Sequence, residues 1–272
     1  MKTNLFIAIT VLFLVSCNSK LNQGQIFVED VNALKLAIKE AKAGNEIVLK
    51  NGVWKDAQIN FFGKGTKENP ITLRAETSGK VFLEGQSFLH LGGHYLVVDG
   101  LYFRNGYSPT SVIKFMINKD SIANNTRVTN TVIEDFNKPN RALNDRWIEF
   151  YGKDNKLDHC YISGKSNDGE TLRVFFIGNE HINNHHQIVH NYFGPRPRKG
   201  GPRAETIRVG DSKTRLAPGF VNVSNNYFDA CNGEVEIISD KTNFNSFTNN
   251  IFYKCECSLV LRHSNYAKGD AN

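Results

Sequence analysis

The sequence lacks the features of several protein classes. Beyond its first residues, the 272-residue chain has no apolar run of about 18 residues or more, so no transmembrane helix is expected there. It contains only 5 cysteines, too few to form the disulfide scaffold of a domain this large. It also lacks a long Lys/Arg block and an RNA-binding signature, which argues against a nucleic-acid partner.

Basic residues are in slight excess. Lys and Arg outnumber Asp and Glu by 33 to 27, which gives a formal net charge of +6. Such a charge favours anionic partners, among them an acidic polysaccharide, a nucleic acid or an anionic lipid surface. Because the excess is small, an ordinary solvated basic surface is the alternative interpretation.

The N-terminal segment has the pattern of an export signal. Lys2 precedes an apolar stretch over residues 5–15, and a small residue stands before Cys17. The tetrapeptide LVSC, which ends at Cys17, resembles the bacterial lipoprotein signal, in which the cysteine is lipidated. We therefore expect residues 1–17 to be a lipoprotein-type signal and a lipid on Cys17 to be the only membrane attachment. The expected location is the bacterial envelope, in the periplasm or at the outer membrane; an ordinary signal peptide and secretion are the alternative.

The remaining residues, 18–272, contain a repeat. Six related phrases recur at intervals of 24 to 35 residues: VVDGLYF, VTNTVI, LDHCYI, IVHNYF, VSNNYF and FTNNIF, which end at Phe103, Ile133, Ile162, Phe193, Phe228 and Phe252. Between them lie further β-rich runs, WIEFYG, TLRVFFIG, ETIRVG, EVEIIS and SLVLRH. Leucine-rich repeats would contain helices, and propeller blades would be longer. The pattern predicts an all-β fold, a right-handed parallel β-helix that forms one catalytic domain.

The repeat also makes predictions about turns and ends. Asparagine before the turn aromatic tolerates left-handed backbone and can pair with the asparagine of the next coil. The stretch DVNALKLAIKEAKAGNEIVL has apolar residues near helical spacing and predicts a short N-terminal capping helix that ends at Gly44. Its apolar positions are Val31, Leu34, Leu36, Ala37 and Ala41. After SLVLRHSNYAKGDAN we expect the β-helix to continue, so the domain is expected to be incomplete at residue 272.

The stretch NGEVEIISDKT places carboxylates at alternate positions. If Val235 and Ile237 face the core, Glu234 and Glu236 face outward. Alignment of Val209, Ile237 and Leu261 as inward residues predicts two outward columns. The first column contains Arg208, Glu236 and Val260, and the second contains Thr206, Glu234 and Ser258. Arg262 lies one outward step beyond Val260. The sequence therefore predicts a mixed-charge patch of two acids, two arginines and Lys241. Because exposed ion pairs contribute little to stability, a binding site for an anionic sugar chain explains such a patch better than an ordinary protein surface does.

These residues resemble polysaccharide lyase family 6, which contains alginate lyases and enzymes of the chondroitinase B type. The matching phrases are DHCYISGKSNDGETLRV, HNYFGPRPRKGG with ETIRVG, GEVEIISDK and SLVLRH. The resemblance implies β-elimination on a uronic acid polymer, with Lys241 as the base at C5 and Arg262 as the acid at the C4 oxygen. It implies that Glu234 and Glu236 bind calcium, which masks the uronate carboxylate. Alginate is the expected substrate; a dermatan sulfate lyase and a noncatalytic polysaccharide-binding β-helix are the alternatives.

One position departs from the family pattern. Pro202 stands where the family commonly has a calcium-binding asparagine, so calcium is in question and Lys199, Arg203 or Arg208 is expected to replace part of its charge. Further substrate-binding residues are expected within the matching phrases, namely Arg208, His263, His190, Arg196, Lys165 and Glu205. For the histidines, hydrogen bonding along the stacked turns is the alternative.

Two cysteines occupy equivalent positions of neighbouring coils. Cys231 and Cys255 each follow the recurring aromatic residue of the repeat by three residues, so they are expected to lie one coil apart. That separation allows a disulfide. A pair of free thiols is the alternative.

Overall fold

The computed structural model describes residues 24–272. The predicted signal and its Cys17 lie outside the described residues, so export and lipidation stay predictions. Within residues 24–272 no helix has the length and apolar character that a membrane crossing requires.

The chain forms one α-helix, α1 (Val31–Glu40), and two short 3-10 helices, Asn179–His181 and Ser212–Thr214. Short strands make up the rest of the regular structure. They are β1 (Gln25–Val28), β2 (Glu46–Leu49), β3 (Gly52–Lys55), β4 (Gln58–Lys64), β5 (Ile71–Ala75), β6 (Val81–Gly85), β7 (Phe88–His94), β8 (Leu96–Asp99), β9 (Leu101–Gly106), β10 (Ile113–Lys114), β11 (Met116–Asn118), β12 (Ser121–Asn124), β13 (Arg127–Thr129), β14 (Val132–Glu134), β15 (Ile148–Phe150), β16 (Lys156–Asp158), β17 (Tyr161–Ser163), β18 (Leu172–Val174), β19 (Gln187–Val189), β20 (Tyr192–Phe193), β21 (Ile207–Val209), β22 (Asn222–Ser224), β23 (Tyr227–Asp229), β24 (Glu236–Asp240), β25 (Ser246–Thr248), β26 (Ile251–Tyr253), β27 (Ser258–Leu261) and β28 (Lys268–Asp270).

These strands stack into three sheets. The first has the order β1-β2-β5-β8-β13-β16-β19-β22-β25-β28, and the second β3-β6-β9-β14-β17-β20-β23-β26. The third, which we call the site sheet, has the order β11-β12-β7-β10-β15-β18-β21-β24-β27, with β4 also paired to β7. Neighbouring strands are parallel apart from the β11–β12 pair. Each coil passes through the first, second and site sheets in turn, so the fold is a parallel β-helix, as the sequence predicts.

The repeat phrases occupy the positions that their spacing predicts. Phe103, Ile133, Ile162, Phe193, Phe228 and Phe252 are consecutive partners in the second sheet. Phe228 stacks between its neighbours at ring-centroid distances of 5.0 and 4.9 Å. These side chains fill the interior, because alternate residues of a strand point to opposite faces of the sheet.

Asparagines stabilise the turns between the first and second sheets. Asn191 donates its backbone N–H and its side-chain amide to Asn226 Oδ1, and Asn226 donates in the same way to Asn250 Oδ1. The preceding residues Asn225 and Asn249 have φ values of 57° and 55°, in the left-handed region that asparagine tolerates. Both predicted uses of asparagine are therefore present.

Helix α1 lies at the N-terminal end of the coils, where it contacts β1, β2 and β4. The Asp30 side chain caps it by accepting from the N–H groups of Asn32 and Ala33 at 2.8 and 2.9 Å. The helix ends at Glu40, before Gly44. Of the predicted apolar face, Leu34 and Ala37 are buried, but Leu36 is exposed, and Ile38 is the third buried residue. Including Leu36 in that face was wrong because it lies on the solvent side.

Candidate active site

The local structure of the NGEVEIISDKT stretch differs from the predicted alternation. Strand β24 begins only at Glu236, and its pairing with β27 is irregular between Glu236 and Ile238. At this bulge Ile237 and Ile238 are both buried, whereas Val235 is 73% exposed. A bulge puts two successive residues opposite one and breaks the period of two. The placement of Val235 in the core was therefore wrong.

The register between the coils also differs from the prediction. Ile207, Ile238 and Leu259 are partners, as are Val209, Asp240 and Leu261, so the predicted alignment of Val209 with Ile237 was wrong. The outward column is Arg208, Ser239 and Val260 instead, and Ser258 pairs with Glu236. The predicted patch nevertheless forms, because the long side chains of Arg208 and Arg262 reach the glutamates from neighbouring coils.

Three glutamates meet at the edge of this patch. Carboxylate oxygens of Glu205, Glu234 and Glu236 lie within 4.8 Å of one another. Glu205 precedes β21, and Thr206 donates its N–H to the Ile237 carbonyl, which joins the two coils that carry the cluster. Burial, together with the neighbouring Glu205 and Glu236, raises the pKa of Glu234 to about 8. The cluster therefore favours a cation or a proton among its oxygens.

Two arginines bind the outer oxygens of this cluster. Arg262 donates to Glu236 Oε1 at 2.8 Å, and Arg208 Nη1 lies 3.7 Å from Glu205 Oε1. The second oxygens, Glu205 Oε2 and Glu236 Oε2, are buried without a hydrogen-bond partner among the described residues. Unpaired buried oxygens of this type are what a calcium ion binds, so the donor set fits a calcium site.

Lys241 follows β24 directly and lies beside this patch. Its backbone N–H donates to the Val209 carbonyl at 3.0 Å, and the residue is 6% exposed. Burial and then the positive charge of Arg208 lower the pKa of the Lys241 amine. Both effects increase the fraction of neutral amine that can accept a proton near neutral pH.

A cavity of about 450 Å³ opens next to these residues. Its lining includes Glu234, Glu236, Arg262 and Pro202, and Arg198 and Cys257 also contribute. His263 is exposed beside Arg262 and lies 3.4 Å from Ser212 Oγ through its Nε2. The patch therefore faces a concave, solvent-accessible surface rather than the interior.

Several predicted substrate-binding residues lie elsewhere. Lys165 is 2% exposed and donates to the Asn167 carbonyl at 3.3 Å, and burial lowers its pKa to about 7. Arg196 is 3% exposed and donates to Thr171 Oγ1 and to the carbonyls of Glu205, Asn167 and Gly169. Because both side chains are enclosed, neither reaches a polymer on the surface, and the placement of both in the groove was wrong.

His190 is a third case. It occupies a turn between the first and second sheets with φ 57° and stacks on His159 at 5.3 Å. The site sheet lies on another side of the coil. His190 therefore stacks on a neighbouring turn, which is the alternative to substrate binding.

Lys199 and Arg203 pair with Asp168 at 2.6 and 2.9 Å instead of the glutamates. Of the three cations expected to replace charge near Pro202, Arg208 alone contacts a glutamate of the cluster among the described residues.

Glu170 is a central residue of the site that the sequence predictions omitted. It is fully buried and accepts from Arg146 Nε at 2.6 Å, Arg173 Nη1 at 3.1 Å and Arg208 Nη1 at 3.1 Å. Burial alone would raise the pKa of Glu170, but Arg146 and Arg173 outweigh it and the pKa is lowered. The signal was present, because ETLRV and ETIRV are the same phrase one coil apart and Arg173 pairs with Arg208 in register.

Glu170→Gln is expected to destabilise the fold by about 3–5 kcal/mol, since it leaves three partly buried guanidinium groups without their shared anion. Urea unfolding followed by circular dichroism measures this loss. The lowered pKa of Glu170 means that its contribution is present above the ordinary carboxyl pKa of about 4.3 and disappears as the pH falls through the folded value. The difference between the two proteins should therefore shrink in acid; a constant difference would contradict this role.

The cysteines of the described residues are free. Cys231 is buried, and Cys255, one coil further on, is partly exposed. Contact with the Cys255 thiol, together with burial, raises the pKa of Cys231, and the same contact lowers the pKa of Cys255 to about 7. Of the two alternatives, a disulfide and a pair of free thiols, the structure has the pair of free thiols.

The chain is similar to known proteins over most of its length. Residues 28–272 match the family model described as chondroitinase B. The solved structure of the PL6 family alginate lyase AlyGC is similar at 47% identity and a TM-score of 0.88, over 89% of this chain and 34% of that one. A comparison with curated proteins gives no match.

Two further structures are similar. One is a mannuronic acid specific polysaccharide family 6 lyase from human gut microbiota, with 34% identity and a TM-score of 0.87 over 90% of this chain and 58% of that one. The other is the PL6 polysaccharide lyase Pedsa3628 from Pseudopedobacter saltans, with 30% identity and a TM-score of 0.75 over 84% and 58%. The chain therefore belongs to the chondroitinase B family, polysaccharide lyase family 6. It spans about a third to three-fifths of the length of these relatives.

Proposed function

We propose that this chain carries the catalytic site of a lyase that cleaves alginate by β-elimination. The observation that carries the proposal is the position of Lys241, a largely buried amine with a lowered pKa beside Arg208 and Arg262. The family relationship supports the reaction class, and relatives named as alginate lyases support the polymer.

Lys241 is the base in the proposed reaction. Its neutral Nζ accepts the proton from C5 of the uronate, and the C5–H electron pair forms a double bond between C4 and C5. The C4–O bond then breaks, and its electron pair stays on the leaving oxygen. Arg262 donates a hydrogen bond to that oxygen and stabilises the charge that develops there. The oxygen takes up a proton, supplied by Arg262 or by solvent, and leaves as a hydroxyl group. Arg208 contributes positive charge that lowers the pKa of Lys241 and so increases the fraction of neutral amine.

The C5 proton becomes acidic only when the adjacent carboxylate is neutralised. Calcium at Glu234 and Glu236, in the carboxylate cluster, would supply that neutralisation when bound. The free oxygen of Glu236 and the raised pKa of Glu234 support this assignment. Arg208 and Arg262 pair with Glu205 and Glu236 of the cluster, and Glu234 and Glu236 line the cavity.

A substrate panel tests the proposal. The full chain is incubated with alginate, dermatan sulfate and a neutral polysaccharide, and the ultraviolet absorbance of unsaturated uronate is followed. We expect absorbance to rise with alginate. Dermatan sulfate is the second candidate, because the matching family model is described as chondroitinase B. Binding of alginate without any rise would favour the noncatalytic binding module.

The rate is expected to depend on pH through Lys241. Because only the neutral amine accepts a proton, kcat/KM should rise with pH, with an inflection below the ordinary lysine pKa of about 10.4. Arg208→Gln removes a neighbouring positive charge that lowers the Lys241 pKa, so the inflection should move to higher pH. An unchanged or lower inflection in Arg208→Gln would contradict this role of Arg208.

A further inference from the structure

A second cavity adjoins the one at the carboxylate cluster. It has a volume of about 370 Å³ and is lined by residues from the segments 195–198 and 230–232 and by Glu256. Arg198, Asn232 and Glu256 line both this cavity and the first one, of about 450 Å³. Each volume lies in the range of about 300–1,000 Å³ that ligand pockets have. A polymer bound at the cluster therefore has room to extend into the second cavity.

An exposed ion pair stands at the boundary between the two cavities. Arg198 donates through Nε to Glu256 Oε2 at 3.2 Å, and its Nη2 contacts the same oxygen. The side chains are 70% and 61% exposed, and such pairs contribute little to stability because water screens both charges. The guanidinium group can therefore exchange Glu256 for the carboxylate of a ligand at small cost.

The backbone holds both members of the pair at the cavities. Lys199, directly after Arg198, donates its N–H to the Gly233 carbonyl at 3.0 Å. On the other side, Glu256 donates its N–H to Asn232 Oδ1 at 2.8 Å. Because the backbone is fixed and the side chains are exposed, an incoming ligand needs to order only the Arg198 side chain, which lowers the entropic cost of binding.

We propose that Arg198 binds the carboxylate of a uronate residue next to the one that is cleaved, and that Glu256 is its counter-ion when no polymer is bound. The planar guanidinium group of arginine can bind a carboxylate through two parallel hydrogen bonds. Arg262 lines the first cavity, so Arg198 places a second guanidinium group further along the same groove. Glu256 competes for Arg198 and repels an anionic polymer. This inference rests on the proposed lyase function for its biological meaning.

Binding measurements test the inference without turnover. Saturated alginate hexasaccharides, of mannuronate and of guluronate, are titrated by isothermal calorimetry into the full chain with Lys241→Ala, in buffer that contains calcium. In that background, Arg198→Gln should weaken binding by about tenfold, the effect of losing one hydrogen bond to a charged group. Glu256→Gln should strengthen binding by about two- to fivefold, because it removes a competing charge of an exposed pair.

The opposite signs of these two effects exclude a merely structural role, because loss of a structural ion pair would change the affinity in the same direction in both variants. Arg198→Lys keeps the charge but loses the planar group, so it should recover only part of the affinity. Arg74→Gln, which breaks the ion pair with Glu46, is the matched control and should bind as the parent does.

Thermal unfolding checks that each variant is folded; if Arg198→Gln is not, Arg198→Lys takes its place and should bind more weakly than the parent. Unchanged affinity in the folded Arg198 variant, weaker binding by Glu256→Gln, or no binding of either hexasaccharide by the parent would overturn the inference.

The two proposals fail in different ways. Hexasaccharide binding that depends on Arg198, without unsaturated product from the wild-type chain, would leave the binding site standing and remove the lyase function. Product formation together with unchanged affinity in the folded Arg198 variant would do the reverse.

Discussion

Lys241→Ala is expected to lower the rate of unsaturated-uronate formation from alginate by about 10²–10⁴-fold, the range that a general base contributes. No other lysine of the described residues combines burial next to Arg208 and Arg262 with a position on the rim of the carboxylate cluster. Alanine removes the proton acceptor and leaves the arginines and glutamates in place. Initial rates by ultraviolet absorbance under saturating polymer measure the effect on kcat.

The matched control is Lys80→Ala, which removes an exposed lysine near the N-terminal end of the coils and should leave the rate unchanged. Circular dichroism should show the same β-rich spectrum for both variants. A Lys241→Ala protein that is folded and turns over at the wild-type rate would show that another group is the base.

Arg262→Ala is expected to reduce the same rate by about 10²–10³-fold, as loss of one donor to a developing oxyanion typically does. The arginine is also paired with Glu236 at 2.8 Å, and a purely structural ion pair is the competing explanation. The side chain is 56% exposed, and pairs of that kind contribute about 0–1 kcal/mol. We therefore expect a large fall in rate and almost no fall in the thermal unfolding temperature.

Two comparisons make this prediction specific. Arg74→Ala breaks another partly exposed ion pair, with Glu46 at 3.2 Å, and should not affect the rate. Arg262→Lys keeps the charge but loses the planar fork, so it should recover only part of the rate. Equal losses of stability and rate in Arg262→Ala would favour the structural explanation.

The stacked interior positions of the coils could be predicted from the sequence because every coil is subject to the same packing constraint. Each coil must fill the same interior position, so Phe103, Ile133, Ile162, Phe193 and Phe228 recur in register and reveal the period. The asparagine turns were predictable for the same reason, since the left-handed conformation and the amide pairing restrict the residue type.

The errors arose where the repeat is locally broken or where charge is buried. The bulge after Glu236 has no marker in the residue pattern, and the register of Val209, which pairs with Asp240 and not with Ile237, could not be obtained from the residue spacing either. Lys165 and Arg196 were predicted to lie at the surface because charged side chains are seldom buried. Both are buried and donate to backbone carbonyls, Lys165 to Asn167 and Arg196 to Gly169, and residue spacing does not predict such contacts. Glu170 could have been found by comparing ETLRV with ETIRV.

Glu205 shows how geometry changes the interpretation of a residue. The sequence placed it among substrate-binding residues, while its side chain lies within the carboxylate cluster. One of its oxygens lies toward Arg208, and the other has no hydrogen-bond partner in the part of the chain that the structure describes. Contacts across coils of this kind depend on side-chain rotamers and on the bulge, and neither can be obtained from residue spacing.

The central claim is that the site breaks a uronate polymer by elimination. The most direct measurement compares, for one alginate digest, the number of new reducing ends with the number of unsaturated uronates detected by ultraviolet absorbance. Elimination through Lys241 and Arg262 predicts one unsaturated uronate for every new reducing end. New reducing ends without unsaturated uronate would contradict the account, because they would show that the bond is hydrolysed.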